Sequence, residues 1–128
     1  MDILLIDDDP SSVFLARLLL TREALFDTIT SFQNPEEALS FIHKKITSGL
    51  LPKVILLDIN MPMMDGWTLL EALKPYQAQL QVQNSIFMLT SSTDITDLSR
   101  AKEHPLVTDI IIKPLAIKKI HEIYDLVS

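Results

Sequence analysis

Asp58 ends the apolar run Val54-Ile55-Leu56-Leu57 and opens the turn-rich stretch Ile59-Asn60-Met61-Pro62-Met63-Met64-Asp65-Gly66. A carboxylate at the C-terminal end of a buried strand stands where open α/β sheets bind ligands. Three further apolar runs end in polar chemistry: Leu4-Leu5-Ile6 in Asp7-Asp8-Asp9, Ile86-Phe87-Met88-Leu89 in Thr90-Ser91-Ser92, and Ile110-Ile111-Ile112 in Lys113-Pro114. If all four runs are parallel strands of one sheet, their ends share an edge. That edge gathers carboxylates, a hydroxyl and an ammonium around Asp58. An aspartate can attack phosphorus and form an acyl phosphate. Beside Asp7 and Asp8 it would repel a phosphoryl donor, since two carboxylates at ~4 Å cost ~4 kcal/mol at an effective dielectric of about 20. A divalent cation reverses that sign, and magnesium suits a few carboxylates, several waters and a phosphate. Lys113 brings a second positive charge and Thr90 a hydroxyl donor. Phosphoryl transfer needs mainly such positioning and charge stabilisation.

Each of these residues also has a plainer reading. Asp58 alone reads as a turn aspartate. Asp7-Asp8-Asp9 reads as a solvated turn with a helix cap, which suits Asp9, although three consecutive acids at a strand end call for a counter-charge. Thr90 could simply end its strand, and Lys113 could reach out to solvent. Asp65-Gly66 is turn chemistry. His43, His104 and His121 are expected to be solvated, and the 5 methionines to fill core and loops.

The elements that must place these groups alternate along the chain. Ile3–Ile6 and Val54–Leu57 are short, continuous apolar runs, the pattern of strands buried on both faces. Ile86–Leu89 and about Val107–Ile112 complete the set with Thr28-Ile29-Thr30-Ser31-Phe32. Asp9-Pro10 starts a helix with a cap and a first-turn proline, and Phe14, Leu15, Leu18 and Leu19 are expected on its buried face. Asn34-Pro35-Glu36-Glu37 starts a second, with Ala38, Leu39, Ile42 and Ile46 inward and Gly49 as its end. A third runs from about Trp67, its end obscured by Pro75. A fourth covers about Asp94–Lys102, and a fifth carries Leu115, Ile117, Ile120, Ile123, Tyr124 and Val127. Five strands alternating with five helices, joined by right-handed crossovers, predict a doubly wound parallel sheet.

The bulk composition agrees. At 128 residues and 48% hydrophobic, the chain fits one domain with a sizeable core. A net charge of −6, with 11 Lys plus Arg and no basic cluster, argues against direct nucleic-acid binding. Cysteine is absent, which excludes disulfides, thiolate nucleophiles and Cys-type zinc sites. No apolar stretch approaches membrane-spanning length and no signal-peptide pattern precedes the first strand. A soluble, cytoplasmic protein is expected.

Ile6-Asp7-Asp8-Asp9-Pro10, Leu57-Asp58 through Asp65-Gly66, Leu89-Thr90-Ser91 and Ile112-Lys113-Pro114 together resemble the signature of response-regulator receiver domains. The resemblance spans the chain, with the motifs in order and each at the end of its own strand. It implies a single receiver domain over 1–128 with the CheY-like, flavodoxin-like (βα)5 fold and strand order 2-1-3-4-5. It implies a phosphoryl group taken from a histidine kinase or histidine phosphotransfer protein onto Asp58. It implies Mg2+ held by Asp8 and Asp58, by Asp7 nearby or through water, and by the backbone carbonyl of Asn60. Lys113 and Thr90 would then meet the phosphoryl oxygens, and the Lys113–Pro114 peptide would be cis. Such a domain is a signalling switch and catalyses only its own phosphorylation and dephosphorylation. Its downstream protein partner would meet the fourth helix, fifth strand and fifth helix, where Ile110 lies near Lys118 and Lys119. One departure stands out, because the family often has an aromatic residue at the position of Ile110. Two other readings compete. A phosphatase of the haloacid-dehalogenase type resembles the same chemistry, but needs a second aspartate two residues after the nucleophile. Asn60 stands there and cannot serve as acid or base. A silent receiver-like module is opposed by the intact set Asp7, Asp8, Asp58, Thr90 and Lys113.

Overall fold

A computed structural model describes residues 1–91 and 94–128; Ser92, in the polar end of the fourth apolar run, lies outside the described residues. Among those described, five strands alternate with helices: β1 (Asp2–Ile6), α1 (Pro10–Glu23), β2 (Thr28–Phe32), α2 (Pro35–Ser48), β3 (Val54–Asp58), α3 (Gly66–Ala72), α4 (Gln77–Gln83), β4 (Ser85–Thr90), α5 (Ile95–Glu103), β5 (Val107–Ile112) and α6 (Ile117–Val127). The strands form one parallel sheet in the order β2-β1-β3-β4-β5. This is the expected flavodoxin-like order.

The continuous apolar runs are explained by burial on both faces. Ile3 and Leu5, Val54 and Leu56, Phe87 and Leu89 pack under α1 and α6. Leu4 and Ile6, Ile55 and Leu57, Ile86 and Met88 pack on the opposite face under α2, α3 and α5. The edge strands β2 and β5 are only partly buried and carry the mixed sequences. On β5 the register skips Thr108, whose hydroxyl accepts the Ile86 N–H at 3.2 Å. Such a bulge bends an edge strand and makes it a poorer template for further pairing.

The caps follow the sequence. Asp9 and Asn34 cap α1 and α2 ahead of Pro10 and Pro35, and Gly49 ends α2 in the left-handed region at φ 73°. Asp65 caps α3 and Asp94 caps α5.

Two expectations need correction. The third crossover holds two helices, not one, so the described residues contain six. Pro75 cannot continue a helix; α3 stops at Ala72, a 3-10 turn covers Lys74–Tyr76, and α4 follows with Leu80 as its buried anchor. On α1 the buried residues are Val13, Ala16 and Leu20, while Phe14 is 71% and Leu18 53% exposed, with Leu15 also outward and Leu19 only partly covered. That segment is apolar nearly all round, so periodicity could not decide which stripe faces the sheet. The small Ala16 allows the closer approach.

Candidate functional site

The parallel sheet brings the polar strand ends together as expected. Asp7 directly follows β1, Asp58 is the last residue of β3, Thr90 the last of β4, and Lys113 directly follows β5. Asp58 lies opposite Leu89, one residue before Thr90. Asp7, Asp58 and Thr90 are the buried polar side chains of the described residues, at 1%, 4% and 0% exposure.

Backbone bonds hold the edge in place. Lys113 N–H donates to the Thr90 carbonyl at 2.7 Å, and Ile59 N–H donates to the Leu89 carbonyl at 2.9 Å. Asp7 Oδ1 accepts the Asp9 N–H at 3.0 Å, which sets the Asp7 carboxylate and the entry to α1 together. The loop after Asp58 closes through Gly66 N–H, which donates to the Ile59 carbonyl at 2.8 Å. A Cβ at Gly66 would lie 2.6 Å from the Asp58 carbonyl oxygen, so only glycine fits there. The Lys113–Pro114 peptide is cis, as expected.

Lys113 supplies the counter-charge that the acids need. Its Nζ donates to Asp7 Oδ2 at 2.7 Å and lies 3.3 Å from Asp58 Oδ1. Burial works to lower the Lys113 pKa, but hydrogen bonding to Asp7 and the charges of Asp58 and Asp7 prevail and raise it. Burial first, and then the Asp7 charge, push Asp58 up to about 7 against the opposing pull of Lys113. One ammonium therefore does not neutralise the pocket. Asp7, Asp8 and Asp58 each present a carboxylate oxygen, all within 4.8 Å of one another, with Asp8 less buried than the other two. Three convergent hard oxygens with an incompletely neutralised charge fit a small divalent cation with waters completing its shell. Asn60 is exposed in the loop two residues past Asp58, and Ser91 is exposed beyond β4.

The remaining candidates separate cleanly. Asp9 accepts from Ser11 N–H and the Ser12 hydroxyl, and Asp65 from Thr68 N–H; both are caps. The expectation of solvated histidines fails for two of three, since Nε2 of His43 and of His104 is buried. Both sit where helices pack on one another, against Tyr76 and Trp67 respectively, a tertiary feature with no local sequence signal. His121 is half exposed and meets Glu23 at 2.6 Å. Sequence reasoning also missed the wall that α1 contributes. A cavity of about 330 Å3 is lined by Asp7 and Lys113, by Ser12, Leu15 and Ala16 of α1, and by Pro114 and Leu115.

Comparisons with known proteins identify the chain's relatives and its fold. The chain is 40% identical over 70 residues to an uncharacterised protein of Leptolyngbya boryana, a match that covers 55% of this chain and 48% of that protein. It is 29% identical over 123 residues to the two-component response regulator ARR2 of Arabidopsis thaliana, covering 95% of this chain and 17% of the relative. The chain thus spans less than half the length of either. A crystal structure of a two-component response regulator from Cytophaga hutchinsonii superposes with a TM-score of 0.91 at 28% identity, covering 98% of this chain and 95% of that one. The profile of the response regulator receiver domain matches residues 3–125, and the chain belongs to that family.

Proposed function

We propose that residues 1–128 act as a single cytoplasmic receiver domain that accepts a phosphoryl group on Asp58 and switches the binding of a protein partner. The observation that carries this reading is a buried Asp58 that shares the Lys113 ammonium with Asp7 and lies within reach of Asp8. The donor is a phosphohistidine of a kinase or phosphotransfer protein. An Asp58 carboxylate oxygen attacks phosphorus, the new P–O bond forms as the P–N bond breaks, and the imidazole leaves and takes up a proton. Lys113 stays within reach of the oxygens on which charge accumulates, and the Thr90 hydroxyl donates to one of them. Mg2+, when bound by Asp7, Asp8, Asp58 and the Asn60 carbonyl, supplies charge neutralisation between the acids and the phosphoryl oxygens. Attack by water later releases phosphate, so the chain catalyses only its own modification. The exposed Leu15 of α1 lines the cavity with Asp7 and Lys113, which supports donor approach from that side. The output surface is the α5–β5–α6 face, where Ile110 lies between partly buried core and solvent.

Acetyl phosphate with Mg2+ should add one phosphoryl group by intact mass, and Asp58→Ala should abolish the gain. Equal labelling of Asp58→Ala, or labelling that persists in a chelator, overturns the assignment.

A further inference from the structure

Trp67 is the chain's only tryptophan, and it is 4% exposed. Its indole Nε1 donates to Asp97 Oδ1 at 3.3 Å, the Arg100 guanidinium lies 4.7 Å above its ring centroid, and the His104 ring is 6.2 Å away. Asp97, Arg100 and His104 follow the i, i+3, i+7 spacing of one helix face, on α5 and its C-cap. One side chain of α3 thus contacts the length of α5. Ala101 is its one fully buried residue, and its other packing is against β5.

The other end of Trp67 is tied to the acceptor loop. It follows Gly66, whose N–H is bonded to Ile59 and whose Cα faces the Asp58 carbonyl too closely for any side chain. The start of α3 is therefore packed directly against the Asp58 backbone. Thr90 and Ile95, the first residue of α5, are separated by only four residues of chain, which ties the end of β4 closely in sequence to the turn that carries Asp97. Ile110 packs against the same core as Trp67 but is β-branched, with restricted χ1 freedom, and offers little of the repacking that a large ring provides.

We propose that Trp67 is the latch of this receiver: its hold on Asp97 and Arg100 keeps α5 in the resting position, and occupancy of Asp58 releases that hold through Thr90. The inference rests on the phosphoacceptor reading. If latch and occupancy oppose each other, linkage requires that weakening the latch tighten binding of a phosphoryl mimic. Loss of one such hydrogen bond or ring contact corresponds to a tightening of about threefold to tenfold.

The test uses the full chain with Mg2+ and beryllofluoride as the mimic. Asp97→Ala and Arg100→Ala change side chains outside the core and leave Trp67 as a fluorescent reporter. Trp67 emission and the indole N–H resonance should change when both reagents are present. Asp97→Ala should bind beryllofluoride about threefold to tenfold more tightly, with its resting indole signal displaced toward the bound wild-type position. Shifts at Asp58 and Thr90 with an unmoved indole, or unchanged affinity in both variants, overturn the latch and leave phosphoacceptance intact. No beryllofluoride binding and no shift at Asp58 overturn both.

Discussion

Asp58 is a buried acid that holds its proton to higher pH than a free aspartate does. Burial first and the Asp7 charge second raise it from 3.8 to about 7, against Lys113. A folded-state pKa above the unfolded one means that the native chain holds a proton the unfolded chain releases. This group's stabilising contribution is therefore present at low pH and is lost as pH rises from 3.8 through about 7. Asp58→Asn removes the titration and keeps the shape. In thermal melts without metal, the variant should be more stable than wild type above neutrality, by about 1–2 kcal/mol, with the gain shrinking toward pH 5. An equal or lower melting temperature at about pH 8 contradicts the charge account. Asp58 shows its nature in the sequence through its position at a strand end. Its pKa depends on Asp7 and Lys113, which lie far from it along the chain.

The elements impose two further constraints. The α3 start is wedged under the acceptor loop, so Gly66→Ala forces a Cβ into the Asp58 carbonyl. It should cost about 1–3 kcal/mol in denaturant unfolding and slow labelling by acetyl phosphate, because the acceptor's own backbone must move. Unchanged stability and labelling would contradict that geometry. The connection from α5 to β5 is pinned by His104, whose Nδ1 accepts the Leu106 N–H at 3.1 Å and must be unprotonated to do so. Burial lowers its pKa below 6.5, with Glu71 pulling the other way. A depressed folded pKa makes this contribution present above 6.5 and lost as pH falls below it. An NMR titration of the His104 ring should give a midpoint under 6.5; a midpoint above it would show that the Glu71 contact dominates instead.

Taken together, the faces of the fold differ in kind. The α1 side is apolar outside as well as inside. Phe14→Ser and Leu18→Ser should each change unfolding free energy by no more than about 0.5 kcal/mol, whereas Leu20→Ala should cost about 2–5 kcal/mol. Chemical denaturation of the three variants checks this directly, and a large loss at Phe14 would mean that it packs inward. Phe14, Leu15 and Leu18 stay on the solvent side of α1 and contribute little to the core. The α5 side is instead mostly polar outside, with Ala101 as the one fully buried residue of that helix.

Much of this was legible in the residues alone. Continuous apolar runs such as Ile3–Ile6 and Val54–Leu57 demand burial on both faces, and that demand forces a parallel sheet with helices on either side. Once the strands are parallel, their ends share one edge, and Asp7, Asp58, Thr90 and Lys113 all fall on it. Caps are equally local, which is why Asp9, Asn34 and Gly49 could be placed. Other features were decided only by tertiary packing. The phase of α1 was one, since a helix apolar all round presents no preferred stripe until Ala16 meets the sheet. The division of the third crossover was another, because Pro75 stops a helix but does not announce the next. Lys113 bridges Asp7 and Asp58, a pairing set by the strand order that puts β1, β3, β4 and β5 side by side. The burial of His104 and the reach of Trp67 to Asp97 depend on the contact between α3 and α5. Local chemistry determines what each segment can form; which side chains then meet depends on packing between segments remote in the chain.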